Sequence, residues 1–460
     1  ALPEPEGNLA MSNEYVAPET EMEKRLVAIW QELLGVENIG IHDNFFELGG
    51  DSIISIQIVS RANQDDISLT TKDVFKHQTI NELAKINTKE KSKIIAEQNL
   101  IYGEIPLTPI QLWFFEQDFM DKNHWNQAVM LKVKNSLKIS VIENAINALV
   151  RQHDTLRLAF VNKEGKWVQK HNEPIKHHLK IIDYSNLSGE KLSESIEQYS
   201  SKIQASLSIE DGVLLKAVLF KTNNQNELLI VINHLVVDGV SWRIIIEDFQ
   251  KACFQQNNSD QIDLGLKSSS YRQWAIKLSE YANSKKTIKE LTFWNRIINK
   301  SNNLLPLDYN GENTESSKKT VGANLNKKLT RQLLKETSRA YKTEINDLLI
   351  SGLVISLKKW TKKKNITINL EGHGRENLFT DTEVSRTVGW FTTQFPVRLT
   401  LENEYDLGKS IKSIKEQLRE IPQKGIGYGL LRYLHSDSFI REQMAIKMYN
   451  LICFNYLGQF

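Results

Sequence analysis

Cysteine is almost absent from this chain: Cys253 and Cys453 are the only two in 460 residues. Two thiols cannot build a disulfide framework for a chain of this size, so the composition fits a reducing, cytoplasmic compartment. An excess of one charge is missing too. The 58 lysines and arginines nearly cancel the 56 aspartates and glutamates, leaving +2. That balance excludes the dominant basic surface of a nucleic-acid binder. The cluster Lys358, Lys359, Lys362, Lys363 and Lys364 is read as a solvated helix end. No apolar run is long enough to cross a bilayer, and no signal peptide is visible. There is no G-x-S-x-G elbow and no P-loop. His153 and His373 have no partners at metal-ligand spacing. His177 and His178 are adjacent, and strand alternation would send their rings to opposite faces, so they read as surface or packing residues. No metal site is expected.

Apolar residues make up 40% of the chain, enough for real cores, and the length exceeds one domain's worth. The most informative stretch is Leu48-Gly49-Gly50-Asp51-Ser52, followed by the apolar run Ile53–Val59. Two glycines allow a sharp turn, and the serine falls at the start of a helix, where free N–H groups favour a phosphate ester. Alone, the turn Gly49-Gly50-Asp51-Ser52 fits an ordinary loop-to-helix junction equally well. Its surroundings form a small four-helix pattern. Thr20 and Glu23 read as a capping box ahead of Leu26, Ile29, Trp30 and Leu33, with Gly35 ending that helix. A short element is expected at Thr71–Phe75. A second capping box, Thr79 with Glu82, opens a last helix through Ile80, Leu83, Ala84 and Ile86.

The segment Asp43–Ser52, within Tyr15–Asn87, resembles the peptidyl carrier domain of nonribosomal peptide synthetases. The resemblance implies that Ser52 carries 4′-phosphopantetheine, whose thiol holds an amino acid as a thioester. The proline-containing start, Ala1-Leu2-Pro3-Glu4-Pro5-Glu6, resembles the tail of an adenylation domain and suggests a fragment of a longer synthetase.

Thr88–Asn99 is charged without an apolar face and reads as a linker. From Ile105 the pattern mixes helices, at Ile110–Phe115, Val141–Val150 and Ser241–Phe254, with buried-strand runs at Leu228–Ile232 and Ile366–Leu370. Thr222–Asn226 and Gly311–Lys319 read as turns or loops. About 355 residues of this kind suggest one large or two fused α/β lobes. Two polar segments follow the strand runs: Asn233-His234-Leu235-Val236-Val237-Asp238-Gly239 and Glu371-Gly372-His373-Gly374-Arg375-Glu376. Strand ends hold side chains rigidly beside open loops, so His234 and Glu371 form a plausible acid–base pair. A bland reading stays open for each. His234 fits a hydrogen-bonded core histidine, Asp238 an ion pair with Arg375, and Glu371 a surface carboxylate beside a tight turn.

Together with Pro109–Phe114, Arg386–Phe391, Pro396-Val397, Gly425–Gly429 and Phe454–Gly458, these segments resemble the epimerization domain of nonribosomal peptide synthetases, a member of the condensation superfamily. The resemblance implies a small all-α carrier joined to an α/β (α+β) domain of two lobes similar to chloramphenicol acetyltransferase. The expected divisions are an upstream linker at 1–14, the carrier at 15–88, a linker at 89–104, an N-terminal lobe at 105–280 and a C-terminal lobe at 281–460. The family's paired histidines fall on Asn233 and His234, so the catalytic one is retained and the supporting one lost. Glu371, which condensation domains generally lack, would face His234 across a tunnel.

The implied chemistry is removal of the aminoacyl Cα proton by His234 or Glu371 and its return on the other face, converting L to D without pyridoxal phosphate. Desolvation is expected to raise the Glu371 pKa. Asn455 and Tyr456 would donate to the enolate oxygen, while Asp238 and Arg375 would hold the His234 loop. Implied partners are the upstream adenylation domain, a phosphopantetheinyl transferase and a downstream condensation domain. Likeness to first modules of gramicidin S- and tyrocidine-type synthetases implies phenylalanine. The alternatives are a condensation domain forming peptide bonds and a carrier fused to a non-catalytic docking scaffold.

Overall fold

The computed structural model describes residues 15–86, 96–258, 261–299, 305–306, 308–309, 311, 314–402, 405–445 and 452–458. The expected upstream linker at 1–14, the last carrier residues 87–88, the linker residues 89–95 and parts of the 311–319 loop lie outside them.

The first unit is four helices: α1 (Glu21–Leu34), α2 (Ser52–Gln64), α3 (Thr71–Lys76) and α4 (Ile80–Ala84). Both halves of the Thr20/Glu23 capping box are formed, and Gly35 closes α1 in the left-handed region at φ 61°. At α4 only the Thr79 half is formed, as its side chain accepts from Glu82 N–H. Leu26, Trp30, Phe45, Ile58 and Leu83 share one core. The tandem glycines have separate reasons. Gly49 sits at φ 100°, which glycine alone adopts cheaply, and a Cβ on Gly50 would lie 2.4 Å from the buried Phe45 ring.

The larger unit begins earlier than its sequence suggests. Ala96 and Ile101 are already buried, and the first strand, β1 (Gly103–Ile105), pairs with β4 (Lys166–His171), which pairs with β3 (Leu158–Lys163). A second sheet has the order β2-β7-β6-β5, from β2 (Asn126–Val133), β5 (Lys180–Asp183), β6 (Leu215–Lys221) and β7 (Asn226–Asn233). The continuous apolar run of β7 is explained by burial on both faces. Leu228, Ile230 and Ile232 join the main core, while Leu229 and Val231 join Leu207, Val218 and Phe220 in a smaller one. Period-two alternation divides them. Helices α5 (Pro109–Glu116), α6 (Ile139–Gln152), α8 (Gly239–Asn258) and α9 (Tyr271–Tyr281) contribute to the main core, while α7 (Gly189–Gln204) places Ile196, Tyr199 and Ile203 on the smaller one.

In the second lobe β8 (Asn365–Gly372) lies between β9 (Thr393–Thr400), antiparallel, and β10 (Ile452–Phe454), parallel. Ile366, Ile368 and Leu370 pack inward with Phe395, Val397 and Leu399. The lobes do not divide cleanly at 280. Val384, Val388, Trp390, Phe391, Ile426 and Leu430 all return to the first lobe's core, tying the lobes together.

One surface reading changes, and the basis of another does, although His177 and His178 remain surface or packing residues. Lys358 is buried, its ammonium donating to the carbonyls of Leu401 and Glu402 at 2.8 and 2.7 Å. A helix-end count cannot foresee such a pocket of carbonyls. His177 and His178 lie in the irregular segment between β4 and β5, not on a strand, and His178 is 3.5 Å from Glu143.

Candidate active site between the lobes, with the carrier docked beside it

One cavity of about 730 Å³ lies between the lobes and is lined by both His234 and Glu371. His234 follows β7 directly, in a short turn capped by the side chain of Asn233. Asn233 is fully buried. It donates to Asn126 Oδ1 at 3.1 Å and to Asn123 O at 3.3 Å, and accepts from Leu235 N–H. It thereby fixes the turn that presents its neighbour.

The His234 tautomer follows from three contacts. Nδ1 is 2.7 Å from the Val237 carbonyl, which only accepts, so Nδ1 carries the proton. Trp242 Nε1–H donates to Gln127 Oε1 at 2.8 Å, which orients that amide. Gln127 Nε2 then donates to His234 Nε2 at 2.9 Å. The ring is therefore neutral, with its basic Nε2 as acceptor. Burial also pushes its pKa below the usual imidazole value. Trp390 packs on the ring at 4.5 Å between centroids.

Glu371 comes from β8. Alternation sends Ile368 and Leu370 into the core and Asn369 and Glu371 into the cavity. Gln394 lies opposite Glu371 in the β8–β9 register and donates to it at 3.2 Å. Cys453 on β10 donates from its thiol at 3.5 Å. Burial pushes that thiol up to about 12, so it stays protonated and serves as a donor. Desolvation raises the Glu371 pKa above the ordinary carboxylate value, against weaker opposition from hydrogen bonds with Cys453, Gln394 and Asn455.

Asp238 and Arg375 meet below this site at 3.2 Å, both buried. Asp238 also accepts from the N–H groups of Ser241 and Phe391. Arg375 donates to the carbonyls of Val384 and Thr387 and lies 3.9 Å from the Phe391 ring centre. The pair joins the turn after β7 to the segment that crosses between lobes.

Asn455 and Tyr456 part company. Asn455 lines the cavity beside Glu371, where it helps to lower that carboxyl's pKa. Tyr456, expected beside it as an enolate donor, turns outward, and its hydroxyl donates to Asp51 Oδ2 of the carrier at 3.2 Å. Successive residues of an extended segment point to opposite sides, so one of the two had to leave the cavity.

The carrier sits against this same region. Ile56 of α2 joins the main core of the larger unit. Arg61 bridges Glu32 and Glu247 at 2.9 and 2.7 Å, and Lys424 lies 4.0 Å from the Phe75 ring centre. Ser52 is the first residue of α2, partly exposed, and Asp51 caps it. Asp51 Oδ1 takes the N–H groups of Ile53 and Ile54 at 2.9 and 2.8 Å. The amides expected to hold a phosphate are thus already engaged by the capping carboxylate.

Among the described residues, no group of three or more His, Cys, Asp or Glu side chains could hold a metal, and no helix is long and apolar enough to cross a membrane. His153 pairs with Asp248 at 2.9 Å, and His373 with Glu376 at 3.4 Å. Sequence reasoning missed Gln127, Gln394 and Cys453. Each acts across strands, and only the cross-strand register marks them.

A family model described as Condensation domain matches residues 101–459, and one described as Phosphopantetheine attachment site matches residues 24–86. The chain is 42% identical over 462 residues to bacitracin synthase 2 of Bacillus licheniformis, covering 100% of the chain and 17% of that protein. It is 41% identical over 461 residues to gramicidin S synthase 1 of Brevibacillus brevis, covering 100% of the chain and 42% of that protein. The chain thus spans less than half the length of either relative. The crystal structure of the epimerization domain from the third module of tyrocidine synthetase B matches with a TM-score of 0.75 and 38% identity, over 80% of this chain and 82% of that one. The first condensation domain of the CDA synthetase, at 16% identity and a TM-score of 0.56, shares the fold.

Proposed function

From the premise that the chain belongs to the condensation-domain family of nonribosomal peptide synthetases and carries a phosphopantetheine attachment domain, we propose that it epimerizes an aminoacyl group held on its own carrier. The observation that carries this reading is the convergence of His234 from one lobe and Glu371 from the other on a single cavity. Inverting a carbon centre requires one group to take a proton and a second to return one on the opposite face. Condensation needs no second carboxyl group.

When bound, the 4′-phosphopantetheine on Ser52 supplies a thioester, which makes the acyl Cα–H more acidic. The protein's part is proton traffic. His234 Nε2 is unprotonated and held by Gln127. Glu371 is desolvated toward its protonated form. The two shifts move toward each other, which narrows the gap between the carboxyl and the imidazole as proton donor and acceptor. If the Gln127 N–H gives way and Nε2 accepts the Cα proton, the Glu371 carboxyl donates one to the far face, leaving an imidazolium and a carboxylate. That pair is poised for the reverse direction, so the product is a mixture of isomers. Gln394 and Cys453 hold the Glu371 carboxyl in place. The buried Asp238–Arg375 pair fixes the turn that aims His234.

Trp113, Trp125 and Trp390 line the cavity and suit an aromatic side chain, which supports phenylalanine as the first amino acid to try. A cytoplasmic setting, an upstream adenylation domain, a phosphopantetheinyl transferase and a downstream condensation domain belong to this reading.

The test is chiral chromatography of the amino acid released from the loaded chain after incubation without any second carrier. A mixture of L and D supports epimerization. Pure L that becomes peptide only when an amine-bearing carrier is added identifies a condensation domain.

A further inference from the structure

The phosphate that joins the arm to Ser52 must lie close to Asp51, a carboxylate. Two anions side by side at a partly buried mouth repel each other. The usual remedy, the open amides of a helix N-terminus, is closed here, because Asp51 Oδ1 already takes the N–H groups of Ile53 and Ile54. Its other oxygen accepts from Tyr456. A cation must come from elsewhere.

Arg243 is in that position. It lies on the second turn of α8, within electrostatic reach of Asp51 and Tyr456. Its guanidinium is held from both units. Nη1 donates to Gln57 Oε1 of the carrier helix at 3.0 Å, and Nη2 points at the Leu457 carbonyl at 3.5 Å. Leu457 lines the cavity. Gly458 keeps the approach clear. A Cβ there would lie 3.0 Å from Arg243 Nη2 and 3.0 Å from Ile53 Cδ1, the residue after Ser52. Arg243 therefore touches both the carrier helix that begins at Ser52 and a residue of the cavity wall.

The geometry points to Arg243 as the binding site for the arm's phosphate, an anion receptor at the cavity mouth completed only when the carrier docks. A guanidinium suits this task because its planar fork binds phosphate oxygens in pairs. Gln57 of the docked carrier orients that fork, so docking and phosphate capture support each other. This inference rests on the reading that the arm of Ser52 enters this cavity, but its test does not depend on epimerization.

The full chain carrying Ser52→Ala, which has no arm of its own, is titrated by calorimetry with free 4′-phosphopantetheine and with pantetheine. The phosphorylated probe binds about tenfold more tightly, a preference weakened by salt. Adding Arg243→Gln removes the preference and leaves pantetheine binding unchanged, while Arg243→Lys retains part of it. Equal affinity for the two probes in the Ser52→Ala chain, or binding of neither, overturns the assignment before any arginine variant is needed. So does an Arg243→Gln chain that loses both probes equally. Exchange of the aminoacyl α-proton on the loaded wild-type chain is scored separately. A phosphate preference without exchange keeps the Arg243 site and discards the epimerase reading.

Discussion

Gln127 and His234 are joined through their side-chain nitrogens at 2.9 Å, and the direction of that bond is fixed because the Gln127 oxygen is held by the Trp242 indole. An amide in this place keeps the imidazole neutral, with the Nε2 lone pair occupied by the Gln127 N–H at the edge of the cavity. Replacing it with a carboxylate reverses the preference. In Gln127→Glu the new anion accepts from a protonated Nε2, raising the His234 pKa, whereas burial holds it below the usual value in the native chain. The native rate of α-proton exchange therefore persists as pH falls through 6.5, the reference value for imidazole. The variant loses rate at higher pH, as His234 becomes charged. Paired pH–rate profiles of the two chains measure the displacement of the acid limb.

His234→Ala and Glu371→Gln each reduce conversion of L to D by at least about a hundredfold, the ordinary contribution of a positioned acid or base. The isotope pattern separates their roles. Each variant keeps deuterium exchange on the one isomer whose base remains, without inversion, and loses it on the other. Loading each variant with the L and the D aminoacyl group in heavy water reads this directly. Equal exchange on both isomers in both variants rules out two opposed bases.

The carrier depends on a tight glycine. A Cβ at position 50 meets the Phe45 ring at 2.4 Å, and that ring is fully buried against Trp30, 5.4 Å away between centroids. Gly50→Ala should destabilise the carrier by about 1–3 kcal/mol. Amide hydrogen exchange should then accelerate in α1 and α2 while β8 and β9 keep their protection.

Asp238 neutralises an arginine whose side chain is 1% exposed. Removing the carboxylate strands that charge, at a cost of about 3–5 kcal/mol. Asp238→Ala should therefore show a large fall in thermal midpoint by scanning calorimetry. Replacing both partners, as in Asp238→Ala with Arg375→Met, should recover part of the loss.

What the sequence disclosed was local. The Thr20–Glu23 capping box, the turn at Gly49-Gly50 and the helix start at Ser52 depend on neighbours within a few residues. So do the runs that became β7 and β8, and the strand-end positions of His234 and Glu371. What stayed hidden depends on register or docking. Gln127 reaches His234 only because β2 pairs with β7. Cys453 reaches Glu371 only because β10 lies parallel to β8. Tyr456 looked like a site residue beside Asn455, yet the alternation of an extended segment sends it to Asp51 on the carrier. Lys358 looked solvated because no sequence pattern reveals the two carbonyls that bury it.

The most direct measurement loads Ser52 with an L-phenylalanyl-phosphopantetheine arm in heavy water, then releases the amino acid for chiral and mass analysis. The account predicts D-phenylalanine carrying one deuterium at Cα, mixed with L. Unexchanged L-phenylalanine from a carrier verified as loaded, repeated with other amino acids on the same arm, would contradict it.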